Sequence, residues 1–434
     1  MRGRRSPRLR GGEHRAGLLL STTDSSGSGR STWQLLADRR FGSFLVGKTL
    51  AFTGVWVHNI VAAVLAFQIT QSVTMVATVS VVQFVPQILL APLVGPLADR
   101  SSRGRLVGYG RVFCIVGSVG LAVRLWITGV ADVGIAAVLV TTAVVGIGFA
   151  VSGPAMQAMV PDLVEAEEAG RAVALDSLPT MLGRAAGPAL GGLLVVVAGP
   201  APALLVAAGG HLVFGLIAIL IARGDGPVRP SGDGGGFRDG LAYVRRNPAV
   251  TVLLLGVAAV GMGADPVVTL APAFAQDLGE SDALVGYLGS AFGVGAVVGS
   301  VLTALVGGQV RRYAPSAGLG VLASGLAAVA LAGEAWLMCL CFLVAGLGFT
   351  VALAGCTALL HEVVPPGMRG RVMSLWLIAF MGTRPIAAIL NGVLADAFGA
   401  RWAIAVLSAG VAMTAAASLP RVLRRAVRAG SART

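Results

Sequence analysis

At 434 residues, with 56% of them hydrophobic and 12% charged, the chain carries about half the charge of a soluble protein. Together with a mean hydropathy of +0.83, this excludes a soluble globular protein and predicts a polytopic membrane protein. The net charge of +13 would suggest nucleic acid in a soluble chain, but here the sidedness of the charge is what informs, and no nucleic-acid partner is expected.

Residues 1–41 hold nine arginines among Ser, Gly and Thr, and their one apolar run, Leu18–Leu20, is too short for a cleaved signal. They read as a disordered tail that touches anionic lipid. Twelve apolar segments follow, near 42–69, 73–98, 106–130, 133–160, 171–198, 201–222, 249–276, 283–308, 315–332, 335–360, 371–395 and 401–420. Each is long enough to cross about 30 Å of hydrocarbon. They group as two six-helix bundles, 42–222 and 249–420, joined by a Gly- and Asp-rich linker, 223–248, and followed by a basic tail, 421–434. Within the linker, Phe237 to Arg246 reads as a short amphipathic helix on the membrane surface.

The arginines orient the chain. With the N-terminus inside, all but five of the 33 basic residues fall on the inner side, among them Arg100, Arg103, Arg105 and Arg111 after the second span. The exceptions are Lys48, Arg124, Arg184, Arg384 and Arg401, whereas the outer loops carry Asp132, Asp277, Glu280, Asp282, Glu334 and Asp396. Both termini are therefore expected in the cytoplasm, with the protein in the cytoplasmic membrane. Cys114, Cys339, Cys341 and Cys356 all lie in apolar segments and read as small hydrophobes rather than a metal site or disulfide.

The second half echoes the first at a constant offset of 200: Gly146-Ile147-Gly148-Phe149 answers Gly346-Leu347-Gly348-Phe349, Gly170-Arg171 answers Gly370-Arg371, and Arg184 answers Arg384. Related halves point to a transporter. In span five, Gly183, Gly187 and Gly191 recur every four residues beside Pro188 and Gly192, forming a bare stripe for close helix approach. Gly289, Gly293, Gly295 and Gly299 offer a matching surface on span eight. The two spans are expected either to slide against each other between the halves or to pack statically, each within its own half.

Arg184 and Arg384 lie 13 residues past Arg171 and Arg371, about 20 Å deep at 1.5 Å per residue. Charge at that depth marks function. Either the two set a positive field favouring an anionic substrate, or Asp176, Asp265 or backbone carbonyls neutralise them. Asp265, just before Pro266, is the one carboxylate well inside a span and the candidate for proton coupling or for pairing with an arginine. His58 and His211 read as packing residues. No G-x-S-x-G, H-E-x-x-H or phosphate-binding loop occurs, so neither an enzyme, a cofactor, a resident metal nor ATP-driven transport is expected.

Gly95-Pro96-Leu97-Ala98-Asp99-Arg100-Ser101-Ser102-Arg103-Gly104-Arg105 resembles the G-x-L-A-D-R-x-G-R-R signature of the major facilitator superfamily, with one extra residue before Gly104. The Gly187-Pro188-Ala189-Leu190-Gly191-Gly192 run resembles its antiporter motif. Val160-Pro161-Asp162-Leu163-Val164 in the first half, and Val364-Pro365, Arg369-Gly370-Arg371 and Asn391-Gly392-Val393-Leu394 in the second, are similar to the enterobactin-exporter-like branch, which includes macrolide and multidrug efflux proteins. The resemblance implies the twelve-helix fold, with a small organic substrate bound between the bundles, proton antiport and a monomer. It implies a cytoplasmic gate in which Asp99 caps a helix near Arg369 to Val372, with Gly95, Arg100, Arg103, Gly104, Arg105, Gly370 and Arg371 around it. Their depth makes Arg184, Asp265 and Arg384, together with Asn391, the candidates for substrate or proton binding. Two departures stand out: span four lacks the arginine of many drug–proton antiporters, and the loop Gly307 to Tyr313 has no aspartate. A transporter-like sensor without flux is the reading of another class.

Overall fold

The computed structural model describes residues 30–222, 237–305 and 312–420; of residues 91–93, 95–100, 237 and 238 only the backbone is described. Most of both tails, most of the linker and most of the loop before Tyr313 lie outside these limits. The described residues are helical, with no strand among them.

Among the described residues, twelve helices are long and apolar enough to span a membrane. Spans one to six are Arg39–Thr70, Val73–Arg100, Arg103–Thr128, Ile135–Leu163, Ala166–Ala198 and Pro200–Ile221. Spans seven to twelve are Pro248–Thr269, Ala283–Leu305, Ala314–Leu331, Ala335–Val363, Pro366–Phe398 and Ala400–Ala417. The twofold repeat is visible in the backbone: spans five and eleven start and stop 200 residues apart, and each turns into its successor at a glycine, Gly199 at φ +88° and Gly399 at φ +91°. Only glycine adopts that angle without strain.

Local chemistry sets the ends. The Asp38 carboxylate accepts from the N–H groups of Arg40 (2.9 Å) and Phe41 (2.8 Å) and so caps span one. Burial pushes this carboxyl up, but those two backbone donors and the Arg30 guanidinium overcome it and hold it below its ordinary value. Arg30 also reaches Glu168 at the head of span five (2.8 Å), fastening the start of the chain to that helix.

Three spans are discontinuous. Span five breaks at Asp176, span eleven at Gly382, and span seven at Ala264–Asp265, within the apolar segment 249–276. Pro266 explains the last break, since it removes a backbone donor. Helix Phe237–Arg246 forms as expected and packs beside Arg371, whose guanidinium lies 3.7 Å from Asp239.

The bundles meet along two seams, span five on eight and span two on eleven. The side carrying most arginines is called here the basic side. Both seams close on the opposite side.

Candidate functional site

Between the bundles lies a cavity of about 670 Å³, opening toward the basic side. Its two walls differ in chemistry. The first bundle contributes all of its charge: Lys48 from span one and Asp176 and Arg184 from span five. The second bundle contributes neutral groups, chiefly Phe349, Leu353, Phe380 and Met381. Phe349 and Phe380 belong to a ladder of rings running from Phe292 (5.4 Å from Phe349) to Trp376 (5.4 Å from Phe380). A separate apolar groove of about 490 Å³ runs between spans seven, eleven and twelve, on the outside of the second bundle and away from these charges.

Arg184 stands at the closed end of the cavity. Its guanidinium carbon lies 4.9 Å from the Phe349 ring and 5.6 Å from the Trp56 ring, one from each bundle. Among the described residues no carboxylate pairs with it: Asp176, one of the expected counter-ions, instead accepts from Lys48 at 2.5 Å. Stacking between aromatic faces stabilises a guanidinium while leaving its N–H groups to face a ligand.

Arg384 does not reach the cavity. It is 8% exposed, lies in the seam between spans two and eleven, and stacks 4.7 Å over Phe84. The repeat therefore places the two arginines within electrostatic reach of each other, yet only Arg184 lines the cavity.

Asp265 and Asn391 also lie away from the cavity, against each other. The Asn391 amide donates to one Asp265 oxygen (2.8 Å) and the Thr269 hydroxyl to the other (3.0 Å). No salt bridge joins Asp265 to either arginine among the described residues, so its carboxylate is held by neutral donors at the break in span seven.

The glycines sort into two lines one residue apart. Gly183, Gly187 and Gly191 face span one, where an added methyl would strike Phe52 (2.7 Å), Trp56 (2.6 Å) and Val57 (3.1 Å). This stripe packs within its own bundle. The neighbouring line, Arg184, Pro188 and Gly192, faces the other bundle: an added methyl at Gly192 would lie 3.0 Å from Gly286, one at Gly289 2.7 Å from Pro188, and one at Gly293 2.7 Å from Ala185. The Ala189 N–H beside Pro188 donates across the seam to Ser290 (2.8 Å). On span eight, Gly295 and Gly299 turn to span ten instead, against Leu347. The surface expected on span eight thus splits between two partners.

On the side opposite the basic one, the bundles are bonded together. The Asp396 carboxylate, at the end of span eleven, accepts from the Ser72 hydroxyl (2.6 Å) and from the N–H groups of Val73 (2.7 Å) and Thr74 (3.1 Å). It therefore caps span two from the other bundle. Gln68 donates to Asp282 (2.7 Å) and Gln276 to Gln71 (2.9 Å) on the same side. Sequence reasoning had counted Asp396 and Asp282 as loop charges only.

On the basic side, Gly95, Asp99 and Arg100 belong to the stretch described by backbone alone, at the end of span two. Arg103 bonds Asp162 and the Ala158 carbonyl (2.7 Å), tying the loop to span four. Gly104 crosses span six with no room for a side chain, and Arg105 is exposed. Arg369 donates to the Val364 carbonyl (3.2 Å), and an added methyl at Gly370 would meet nothing. Arg111, counted from the sequence among the inner-side arginines, is interior to the bundle. It is 1% exposed inside span three, 4.5 Å from the Phe149 ring, and it bonds Ser152 and lies 3.4 Å from His211.

Two six-helix bundles related by a sequence repeat, with a cavity between them open to one side, define a major facilitator transporter rather than an enzyme. Within that superfamily the chain belongs to the transmembrane secretion effector family, whose profile matches residues 30–432. It is 29% identical to the enterobactin exporter EntS of Salmonella choleraesuis over 307 residues, 69% of this chain and 72% of that one. It is 25% identical to macrolide efflux protein A of Streptococcus pyogenes over 343 residues, 76% of this chain and 83% of that one. Among solved structures, an inward-facing bacterial homologue of the iron transporter ferroportin superposes with a TM-score of 0.68 at 16% identity, covering 92% of this chain and all of that one. An inward-facing bacterial homologue of the lysosomal transporter Spinster gives 0.64 at 17% identity, covering 91% and 96%. The chain is a multi-pass membrane protein and an efflux transporter.

Proposed function

We propose that this protein exports a small aromatic organic acid, a siderophore or similar secreted metabolite, across the cytoplasmic membrane by alternating access. The observation that carries the reading is Arg184, without a carboxylate partner among the described residues and set between rings of both bundles at the end of the cavity. A guanidinium there recognises an anion, and the ring ladder of the opposite wall recognises its flat apolar part. The sidedness of the arginines supports a cytoplasmic basic side; in this reading the described conformation is inward-open and both termini are cytoplasmic.

Energy comes from an ion gradient in this reading, since the sequence has no nucleotide-binding loop. Asp265 is the proton-coupling residue: a carboxylate at a helix break, held by an amide and a hydroxyl and within electrostatic reach of Arg384, can gain and lose a proton. Asp99 is the inner gate, capping span eleven when the basic side closes. A monomer suffices for all of these steps.

The test compares small molecules inside and outside wild-type and deletion cells, with iron limited and iron sufficient. Retention of an aromatic acid in the deletion strain under iron limitation is the expected result. Asp99→Asn should then abolish its export with membrane insertion intact, and Asp265→Asn should leave export insensitive to the proton gradient. The relative named for macrolide efflux motivates a second reading, a lipophilic antibiotic. Unchanged metabolites together with heightened drug sensitivity would overturn the first reading in favour of it. A sensor without flux predicts neither change.

A further inference from the structure

Lys48 is the only lysine in the chain, and it lies in the wall of the cavity. Its ammonium contacts Asp176 at 2.5 Å, and the two side chains are 4% and 16% exposed. Among the described residues Asp176 is the one acceptor bonded to it, although an ammonium carries three donors. Asp176 stands at the break in span five, between helices Ala169–Leu175 and Ser177–Ala198; its backbone N–H caps the first, but its side chain caps neither. Nothing in the helix geometry therefore requires its carboxylate to stay where it is.

A buried ion pair stabilises a fold little, and apolar residues often replace one at no cost. Inside a membrane such a pair marks a pathway. Arg184 lies eight residues beyond Asp176 on the same span, about 12 Å deeper at 1.5 Å per residue. The two cations thus stand at the mouth and at the end of one wall, facing the rings of the other.

We propose that Lys48 is a second anion-recognition residue, held by Asp176 as a resident counter-ion until an aromatic organic acid takes its place. The substrate carboxylate pairs with Lys48 while Asp176 swings toward the basic side, where water reaches it. The cavity then accepts an acid by exchanging one carboxylate for another, and it rejects the neutral isostere, which offers nothing to compensate for breaking the pair. This inference rests on the proposed transport cavity.

A single lysine makes the test direct. The purified protein in nanodiscs is treated with an amine-reactive reagent, and modification of Lys48 is followed by mass spectrometry with 2,3-dihydroxybenzoate or the uncharged 2,3-dihydroxybenzamide present. The acid should slow labelling by about tenfold and the amide should not, and Asp176→Asn should label about tenfold faster without ligand. Lys48→Gln should weaken binding of the acid by a similar factor, and Lys48→Arg should restore it. Because Lys48→Gln leaves Asp176 unpaired, the double variant with Asp176→Asn is measured beside it, and it too should bind the acid weakly. Equal protection by acid and amide, or full-strength binding of the acid by the double variant, would overturn the proposal. If Arg184→Gln alone then abolishes binding, the transport cavity stands and only Lys48 is structural. If no aromatic probe binds wild type, both readings fall.

Discussion

Asp396 offers the sharpest energetic test of alternating access. Its carboxylate accepts three bonds from the first turn of span two, and it comes from the other bundle. Losing an N-terminal cap costs about 0.5–2 kcal/mol, and the charge itself contributes about 0.3–1 kcal/mol of that at a helix N-terminus. Ser72 and Thr74 are partly exposed, so water re-satisfies some of the freed donors in Asp396→Ala and the lower half of the range applies. A loss of about 0.5–1.2 kcal/mol changes the ratio of the two conformations by a factor of about 2–8. Asp396→Asn separates the contributions, because asparagine caps nearly as well but carries no charge. The assay is electron–electron distance measurement between spin labels at Ala131 and Gly333, exposed positions on the closed side in different bundles, with the four native cysteines replaced. Wild type should give one short distance, Asp396→Ala a large added population at longer distance, and Asp396→Asn a smaller one. Raising ionic strength should weaken the wild-type preference slightly, since the bond is near the surface. Identical distance distributions in all three proteins would refute the reasoning.

Other expectations follow from the same geometry. Gly192→Leu should wedge the seam against Ala283 and Gly286, lengthen the closed-side distance and cut flux at least tenfold, whereas Gly191→Leu should strike Val57 within one bundle and lower the melting temperature instead; equal behaviour of the two would reject the assignment of the two glycine lines. Arg184→Lys should keep the charge but lose the flat stacking between Trp56 and Phe349, weakening binding of an aromatic acid about tenfold, and titration calorimetry reads this directly. Burial holds the Asp282 carboxyl above its ordinary value against the opposing bond from Gln68. The closed conformation therefore binds that proton more tightly than an open one, where the group meets water. Closure should be helped at low pH and lose that help as pH rises from about 3.9, the ordinary carboxylate value, through the raised one. Asp282→Asn should remove this component from a pH titration of the same spin-label distance.

Much of the fold is legible in the sequence because membrane thickness sets segment length, and the twelve observed spans begin and end within a few residues of the apolar runs. The arginine repeat revealed Arg184 as a deep charge for the same reason. What the sequence does not specify is partnership. A four-residue glycine spacing says that something approaches closely, yet Gly187 faces span one while its neighbour Pro188 faces span eight, and one residue of helical rotation decides which. Asp396 is legible as a polar loop residue, but its role as a cap depends on Ser72, some 320 positions away, standing at the head of an antiparallel helix. Arg111 falls within the third apolar run but reads as one more inner-side arginine near its end; only the rings of Phe149 and Phe214, on spans four and six, show that it faces the interior of the bundle. Lys48 stands alone in its apolar segment while Asp176 shares one with Arg171 and Arg184, so the sequence offers Asp176 nearer partners and its pairing with Lys48 could be found only in three dimensions.

The seam from Gly286 to Gly293 is backbone against backbone, so it works as a bearing without teeth. Rolling one bundle over the other frees and re-fixes few long side chains there, Arg184 at the Gly293 end being the exception, so much of the rotamer entropy that an ordinary interface loses on each re-docking is spared. Resistance to the motion is thereby moved to the rims, where a handful of polar bonds engage and release. Turnover in such a machine is governed at its edges, and substitutions there should tune speed more finely than any change at the pivot.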